Sequence, residues 1–303
     1  MVIKGNLLSE IERLKKERNA IILAHNYQID QVQDLADFVG DSFKLSQQAA
    51  ATDAELIVFC GVIFMAESAK ILSPDKTVLL PEKMADCPMA NMVDVPSLKE
   101  MKKRYPEAAV VAYVNSPAAV KAESDICCTS SNARQVVESL PQEQIIFLPD
   151  QNLGQYVASQ TTKELIIWEG YCSTHARVRP EEVKKAKAAH PQAPLLIHPE
   201  CTPEVLALAD YIGSTAGILD YARESKASTF LIGTEMGIIH RLQKENPDKR
   251  FYLLSPGLIC PNMKKTTLEK VYLSLKELIT EIELPPEIRE KAYRAMNRML
   301  QIS

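Results

Sequence analysis

The sequence contains little glycine, with 10 glycines among 303 residues. No G-x-G-x-x-G follows a strand-like run, and no G-x-x-x-x-G-K-[ST] occurs in the chain. Dinucleotide-binding folds and P-loop enzymes use such glycine-rich turns to bring backbone N–H groups against phosphate. Both classes are therefore excluded, and any anion must be held by other groups.

The chain also lacks an excess of positive charge and a long hydrophobic run. Its net charge is −4 at pH 7, with lysine and arginine spread along the sequence, so we expect no nucleic-acid partner. No run approaches the roughly 18 apolar residues of a membrane span, so we expect no membrane partner. The first segment, MVIKGNLLSEIERLKKER, reaches charged residues before a signal-peptide core develops, which predicts a cytoplasmic protein.

Seven cysteines remain to be explained. A chain of this length buries enough surface to fold without covalent staples. Disulfides are rare in the cytoplasm, where thiols more often bind metals or take part in catalysis.

Short apolar runs alternate with helical patterns along the chain. The strand-like runs are residues 21–24, 55–59, 110–113, 145–148, 165–168, 195–197, 230–232 and 251–254. They are almost continuously hydrophobic, which is typical of parallel strands covered on both faces. Helical stretches such as residues 180–190, which begin with proline, separate them. This alternation predicts an α/β fold with parallel sheets.

The strand pattern repeats. Strands near residues 110, 125, 145 and 165 are matched by strands near 195, 210, 230 and 250, an offset of 85, and an offset of 88 leads back to the first part of the chain. We predict three α/β repeats, at residues 1–87, 88–172 and 173–260, and a helical tail at 261–303 that packs with the first repeat. The alternative is that α/β units of similar length merely look alike.

Polar residues recur at equivalent positions after the strands. The two offsets superpose three sets: His25, Tyr113 and His198; Tyr27, Asn115 and Glu200; and Ser42, Ser130 and Thr215. Parallel sheets bind ligands beyond the carboxyl ends of their strands, so these sets indicate one shared central site. The alternatives are helix N-caps for the hydroxyls, satisfied buried histidines, and a core aromatic for Tyr113.

Each repeat also ends in a cysteine, at Cys87, Cys172 and Cys260. No C-x-x-C occurs, so the usual signature of a zinc site or ferredoxin-type cluster is missing. Three remote thiolates that meet at one point could still hold three corners of an iron–sulfur cubane and leave its fourth iron open to substrate. Three buried structural thiols are the alternative.

The other four cysteines occupy non-equivalent positions. Cys60, Cys127 and Cys128 lie in or beside predicted strands, which is typical of small core residues. Cys201 adjoins His198 and Glu200, so a Cys–His nucleophilic pair stays open as an alternative to packing.

Nine short motifs occur in order along the chain. They are residues 23–27 (LAHNY), 40–42 (GDS), 86–90 (DCPMA), 112–116 (AYVNS), 129–133 (TSSNA), 170–175 (GYCSTH), 198–201 (HPEC), 213–217 (GSTAG) and 260–263 (CPNM). In these motifs the sequence resembles the quinolinate synthases, the iron–sulfur enzymes of de novo NAD biosynthesis, over essentially its whole length. The chain lacks the cysteine-rich extensions of some longer members and resembles the compact form.

The resemblance implies three similar three-layer α/β/α domains arranged with pseudo-threefold symmetry around a central active site. It implies a transferase that condenses iminoaspartate with dihydroxyacetone phosphate and dehydrates the product to quinolinate, with loss of phosphate and two waters. The imine would come from an aspartate-oxidising enzyme.

The resemblance also implies roles for individual residues. One 4Fe–4S cluster per chain, with one open iron acting as Lewis acid, would be bound by Cys87, Cys172 and Cys260. Tyr27, Glu200, His25 and His198 would be catalytic. The substrate-binding residues would be His25, Ser42, Tyr113, Val114, Asn115, Ser130, His198, Pro199, Glu200 and Thr215.

Two other classes of function compete with the enzyme. A redox or oxygen sensor would use the cluster to control a partner, but the sequence shows no basic or apolar partner surface. A metal-free binding module for a dicarboxylate would not need three equivalently placed cysteines.

Overall fold

The computed structural model describes residues 2–302. The first part of the chain contains α1 (Val2–Glu17), β1 (Ala20–His25), α2 (Asp30–Leu35), β2 (Phe38–Gly40), α3 (Ser42–Ala51), β3 (Leu56–Cys60), α4 (Ile63–Leu72) and β4 (Thr77–Leu79). The middle part, after a 3-10 turn at Ala90–Met92, contains α5 (Val95–Arg104), β5 (Ala109–Tyr113), α6 (Ala118–Ala122), β6 (Ile126–Cys128), α7 (Ala133–Ser139), β7 (Gln144–Leu148), α8 (Gln151–Ala158) and β8 (Glu164–Ile167).

The third part repeats the same alternation. It contains α9 (Pro180–Ala189), β9 (Leu195–Ile197), α10 (Pro203–Leu206), β10 (Tyr211–Ile212), α11 (Thr215–Glu224), β11 (Thr229–Gly233), α12 (Ile238–Glu245) and β12 (Arg250–Leu253), followed by α13 (Leu268–Glu277) and α14 (Pro286–Leu300). No helix within residues 2–302 combines the length and the apolarity that crossing a membrane requires.

These strands form three four-stranded sheets with the same topology. Their orders are β2-β1-β3-β4, β6-β5-β7-β8 and β10-β9-β11-β12, and all pairs are parallel. Helices flank each sheet and connect its strands, because a parallel strand can only be reached by a crossover. The predicted fold class of three similar α/β/α domains is confirmed, and the exact boundaries at residues 87, 172 and 260 stay predictions.

The eight apolar runs of the sequence correspond to β1, β3, β5, β7, β8, β9, β11 and β12. The other four strands, β2, β4, β6 and β10, are only two or three residues long and show little pattern by themselves. The repeat offsets nevertheless point to β6 and β10. Central strands β1, β5 and β9 pair on both sides, so their carboxyl ends carry His25, Tyr113 and Ile197 to the middle of each sheet edge.

The C-terminal helices connect the first two units. Helix α13 packs against α1, and α14 packs against α6, β6 and α4. Helix α14 carries an apolar stripe, since Ala292, Ala295, Met296 and Met299 are buried and Ile288 packs against the same core. The stripe therefore closes the hydrophobic core between these units.

We expect Met296→Ala to lower the free energy of unfolding by about 2–5 kcal/mol, because it empties a fully buried methionine site. Urea denaturation followed by circular dichroism measures the loss. Arg294→Ala, at an exposed position of the same helix, is the control and should stay within about 0.5 kcal/mol of the unmodified protein. Equal losses would contradict this packing role.

Candidate active site

One cavity lies where the three units meet. Its walls come from all three sheets, and the following predicted site residues line it: His25, Tyr27, Ser42, Cys87, Tyr113, Asn115, Ser130, Cys172, His198, Glu200, Thr215 and Cys260. The cavity lies at the carboxyl ends of the central strands, where parallel sheets bind ligands. Val114 and Pro199 are buried beside it but do not line it.

His25 and His198 are held in the same tautomer by the backbone. The N–H of Tyr27 donates to His25 Nδ1 at 3.1 Å, and the N–H of Glu200 donates to His198 Nδ1 at 3.3 Å. A neutral imidazole whose Nδ1 accepts must carry its proton on Nε2. Each ring therefore offers an Nε2–H donor, and that of His198 lies 3.2 Å from Ser130 Oγ.

Both rings are neutral at physiological pH. Burial lowers the pKa of His25 to about 3, and the positive charge that His198 and Lys264 would carry acts in the same direction. Burial also lowers the pKa of His198 to about 3. The negative charge of Glu200 acts to raise this pKa, and the positive charge that His175 would carry acts to lower it. The predicted alternative of satisfied core histidines accounts for the Nδ1 atoms of both rings, and Ser130 Oγ is the partner of Nε2 in His198.

Glu200 is a buried carboxylate with partners from two units. Tyr113 OH donates to Oε1 at 2.7 Å, and His175 Nδ1 lies 2.8 Å from Oε2. Burial alone would raise the pKa of Glu200, but His198, His175 and the hydrogen bonds outweigh it and hold the pKa well below its usual range. Burial and the Glu200 charge raise the pKa of Tyr113. The pair is therefore a carboxylate and a neutral phenol.

A chain of hydrogen bonds runs from Glu200 to Tyr27. His175 Nε2 lies 2.9 Å from Thr234 Oγ1, which lies 2.6 Å from Tyr27 OH. When His175 donates from Nδ1 to Glu200, its Nε2 accepts from Thr234, which in turn accepts from Tyr27. Burial, followed by the Glu200 charge, raises the pKa of Tyr27, so it is a protonated donor at rest. Neither His175 nor Thr234 is among the site residues predicted from the sequence, although His175 belongs to the motif at residues 170–175.

Tyr27 is positioned by close contact with the third unit. A Cβ atom on Gly237 would come within 2.7 Å of Tyr27 Cα and 2.8 Å of the Asn26 carbonyl oxygen. Only glycine permits this approach of the two backbones. Thr215 Oγ1 completes the hydrogen bonds of the phenol at 2.9 Å.

The three equivalent hydroxyls do not act as helix N-caps. Asp41 caps α3 by accepting from the N–H of Lys44, and Ser214 caps α11 by accepting from the N–H of Gly217. Ser42 and Thr215 are the first residues of these helices, so the N-cap alternative is wrong for both. Ser130 likewise precedes the cap position of α7, which Asn132 occupies. The hydroxyls are thus not used as caps, and those of Ser130 and Thr215 instead meet His198 and Tyr27 at the cavity.

The cysteines of the three units share the cavity and a local geometry. Each sulfur accepts from backbone N–H groups two or three residues later: Cys87 from Met89 and Ala90, Cys172 from His175, and Cys260 from Asn262 and Met263. Burial is the largest influence on each thiol and raises the pKa of Cys87 to about 12. The thiolate charge of Cys87 also raises the pKa of Cys172, and the thiolate charge of Cys260 raises the pKa of Cys87. All three cysteines line the same cavity, and a cation there would favour their ionised forms.

A second group of metal-capable atoms includes Cys172. One ligand atom each from Cys172, His175 and Glu200 lies within 4.8 Å of the others. Thiolate sulfur and imidazole nitrogen are ligands for soft and borderline metals such as iron. The residues present thus fit an iron–sulfur group on chemical grounds, since hydrogen-bonded cysteine sulfurs are its usual ligands.

The remaining cysteines pack in the core. Cys60, Cys127 and Cys128 are fully buried in strands, as predicted. Cys201 is also fully buried, with its sulfur 3.8 Å from the Gly233 carbonyl oxygen. Burial, followed by Glu200, raises the pKa of Cys201, which disfavours the thiolate that a Cys–His nucleophile requires.

Comparison with known proteins gives a consistent result. The family described as "Quinolinate synthetase A protein" matches residues 9–301. A quinolinate synthase of Alkaliphilus metalliredigens (strain QYMF) is 60% identical over 298 residues, covering 98% of both chains. One from Geobacter sp. (strain M21) is 58% identical, covering 98% of this chain and 97% of its own. Quinolinate synthase 1 of Methanosarcina acetivorans is 54% identical, covering 99% of this chain and 98% of its own.

We expect the rings of His25 and His198 to stay neutral, as Nε2–H tautomers, when the pH of the iron-free protein falls from 8 to 5. Their folded pKa of about 3 lies below the unfolded value of about 6.5, so both rings favour folding above that pH and increasingly oppose it as the pH falls towards 3. Nitrogen-15 NMR of the imidazoles measures the tautomers, with His25→Asn and His198→Asn for assignment. Either ring gaining a proton near pH 6.5 in the folded protein would be the contrary result.

Proposed function

The chain belongs to the quinolinate synthetase A protein family, and from this membership we propose that it condenses iminoaspartate with dihydroxyacetone phosphate to quinolinate. Phosphate and two waters leave in the reaction, so no external oxidant or reductant is required. The observation that carries the proposal is that a single cavity receives one cysteine from each unit together with neutral Nε2–H donors suited to carboxylates.

The proposed cofactor is one 4Fe–4S cluster, held by Cys87, Cys172 and Cys260. When bound through three cysteines, such a cluster supplies an open iron that acts as a Lewis acid where a hydroxyl leaves. The chain's own contribution is to orient the sulfurs through the backbone N–H groups that follow each cysteine. The turns also hold the half-buried thiols in the cavity wall.

The substrate would be held by donors rather than by fixed positive charge. His25 and His198 offer Nε2–H groups, and the hydroxyls of Ser42, Ser130 and Thr215 lie at starts of helices or just before them. Carboxylate oxygens accept from such groups, and helix N-termini favour negative charge. In this arrangement His25 and His198 bind and polarise the ligand as neutral donors.

Asn115 and its neighbours complete the proposed binding surface. Among the described residues, Asn115 Oδ1 is buried without a hydrogen-bond partner, so it remains available to a ligand N–H or O–H. Val114 and Pro199, which flank this wall, would act through shape rather than through polar contact.

Proton transfer would use Tyr27 and Glu200. Enolisation and dehydration both move protons, and a residue at each end of a hydrogen-bonded chain can deliver and take up a proton without solvent. His175 and Thr234 connect the two ends at distances of 2.6–2.9 Å. In enolisation Tyr27 would pass its proton through Thr234 and His175 to Glu200 and take one from the substrate. The reverse transfer would then let Tyr27 protonate a leaving hydroxyl.

The imine would reach this protein from an enzyme that oxidises aspartate. An imine hydrolyses in water, so an enclosed cavity that holds it beside the second substrate avoids its loss. The product, a pyridine dicarboxylate, places the reaction in NAD biosynthesis.

We expect protein purified without oxygen to be brown, to contain about four irons and four sulfides per chain, and to form quinolinate from dihydroxyacetone phosphate and freshly generated iminoaspartate. Cys172→Ser should abolish quinolinate formation and lower the iron content, because it removes one of the proposed ligands. Iron analysis and chromatography of the product measure both quantities.

The control is Cys127→Ser, a buried thiol of β6 outside the cavity lining, which should retain iron and activity. Full activity in iron-free protein would refute the proposal. Ligand binding without turnover, surviving complete chelation, would instead support a metal-free dicarboxylate-binding module.

We expect Tyr27→Phe to lower kcat by about 100- to 10,000-fold, since it removes the acid while leaving the ring in place. KM and iron content should change little, and steady-state kinetics on the iron-loaded enzyme separates these effects. Tyr221→Phe is the matched control, because Tyr221 stacks on Tyr211 at a distance from the cavity lining. A loss confined to KM would instead mean that Tyr27 binds substrate without moving a proton.

A further inference from the structure

Two buried carboxylates lie behind the cysteines of the second and third units. Asp150 follows β7 and Glu235 follows β11, and the repeat offset of 85 superposes them. Both side chains are fully buried, with an exposed fraction of 0%. Neither residue was predicted from the sequence, because aspartate and glutamate are different residue types and their equivalence in the repeat is not obvious.

Each carboxylate joins a cysteine to the end of a strand. Asp150 Oδ2 accepts from the N–H of Cys172 at 3.1 Å, and its Oδ1 accepts from the N–H of Leu153 at 2.8 Å. Glu235 does the same with its own pair of oxygens, accepting from Cys260 at 3.0 Å and from Gly237 at 2.7 Å. Both oxygens of each group are thus engaged by backbone donors.

The first unit does not share this arrangement. The offset of 88 carries Asp150 back to Val62, whose side chain has no hydrogen-bond acceptor. The N–H of Cys87 is instead accepted at 2.7 Å by Asp86, its immediate neighbour. Cys87 is therefore anchored within its own loop, whereas Cys172 and Cys260 are anchored to sheets.

Glu235 extends the connection to the catalytic tyrosine. Lys264 Nζ lies 2.9 Å from Glu235 Oε1 and donates to the backbone carbonyl of Tyr27 at 2.5 Å. Gly237, whose N–H binds Glu235, is also the residue pressed against Tyr27. The same carboxylate thus touches the segment of Cys260 and the segment of Tyr27.

Resting on the proposed cluster function, we propose that Asp150 and Glu235 are positioning residues that fix the backbones of Cys172 and Cys260 so that their sulfurs converge on one iron–sulfur group. Lys264, through its ion pair with Glu235, fixes the position of Tyr27 relative to these cysteines. Partners of this kind, one step removed from a metal, typically alter metal affinity by about 10- to 100-fold when they are replaced.

Asp150→Asn and Glu235→Gln test the proposal in the cluster-loaded enzyme. An amide has one acceptor oxygen in place of two, so each variant leaves one backbone N–H without its acceptor. We expect iron release to a chelator to become about 10- to 100-fold faster than in the unmodified protein. We also expect the electron paramagnetic resonance spectrum of the reduced cluster to change in both variants. The reduction potential should rise in Glu235→Gln, which removes the negative charge paired with Lys264.

The matched controls are Asp125→Asn and Asp210→Asn. These carboxylates also accept a strand N–H, from Val110 at 2.7 Å and Leu195 at 2.8 Å, but neither lines the cavity. They should leave the iron-release rate, the potential and the spectrum unchanged even if stability falls. Should an amide variant fail to fold, Asp150→Glu and Glu235→Asp keep charge and both acceptors while displacing the cysteine, and should also release iron about 10-fold faster.

Variants that lose stability but keep the iron-release rate, potential and spectrum of the unmodified protein would overturn the positioning role. An unmodified protein that binds no cluster would overturn the proposed function and this inference together. The unmodified protein measured in parallel therefore separates the two failures.

Discussion

The buried carboxylate of Glu200 is the constraint on which the site depends. Removing an ionised carboxylate from water costs several kcal/mol unless hydrogen bonds and opposite charge offset the loss. Here the partners are Tyr113 from the second unit and His175 from the segment after it, and His175 continues through Thr234 to Tyr27 of the first unit. A single buried charge thus requires all three units to be in register before its hydrogen bonds are satisfied.

In the proposed function, the remaining polar groups would bind anions without fixed positive charge. Backbone N–H groups select the tautomer of two histidines, and separate capping residues leave hydroxyls unoccupied by the helices they begin. Since Asp41 and Ser214 take over the capping, the neighbouring hydroxyls need not serve two purposes. This division of roles explains how a chain poor in glycine can line an anion site.

Much of this arrangement could be predicted from the sequence because parallel strands bring their carboxyl ends to one edge. The repeat placed His25, Tyr113 and His198 together, and the cysteines followed from equivalent spacing. Short strands such as β10, two residues long, carry too little pattern to be seen singly. Thr234 was missed because a lone threonine after a strand has no distinguishing periodicity. Val114 and Pro199, which were predicted as substrate-binding residues, are buried beside the cavity and are not among its lining residues. Bonds such as that between Lys264 and Glu235 depend on tertiary packing, which no local pattern records.

The distribution of the three cysteines over the chain has a consequence for biogenesis. Cys87 and Cys260 are separated by 173 positions, and each thiol is held by the backbone of a different unit. A chain synthesised only through its second unit lacks Cys260, so the proposed cluster could be bound through all three cysteines only after the third unit is made. A protein that delivers iron–sulfur clusters would then act on the assembled chain. A bound cluster would indicate that the three units have assembled correctly.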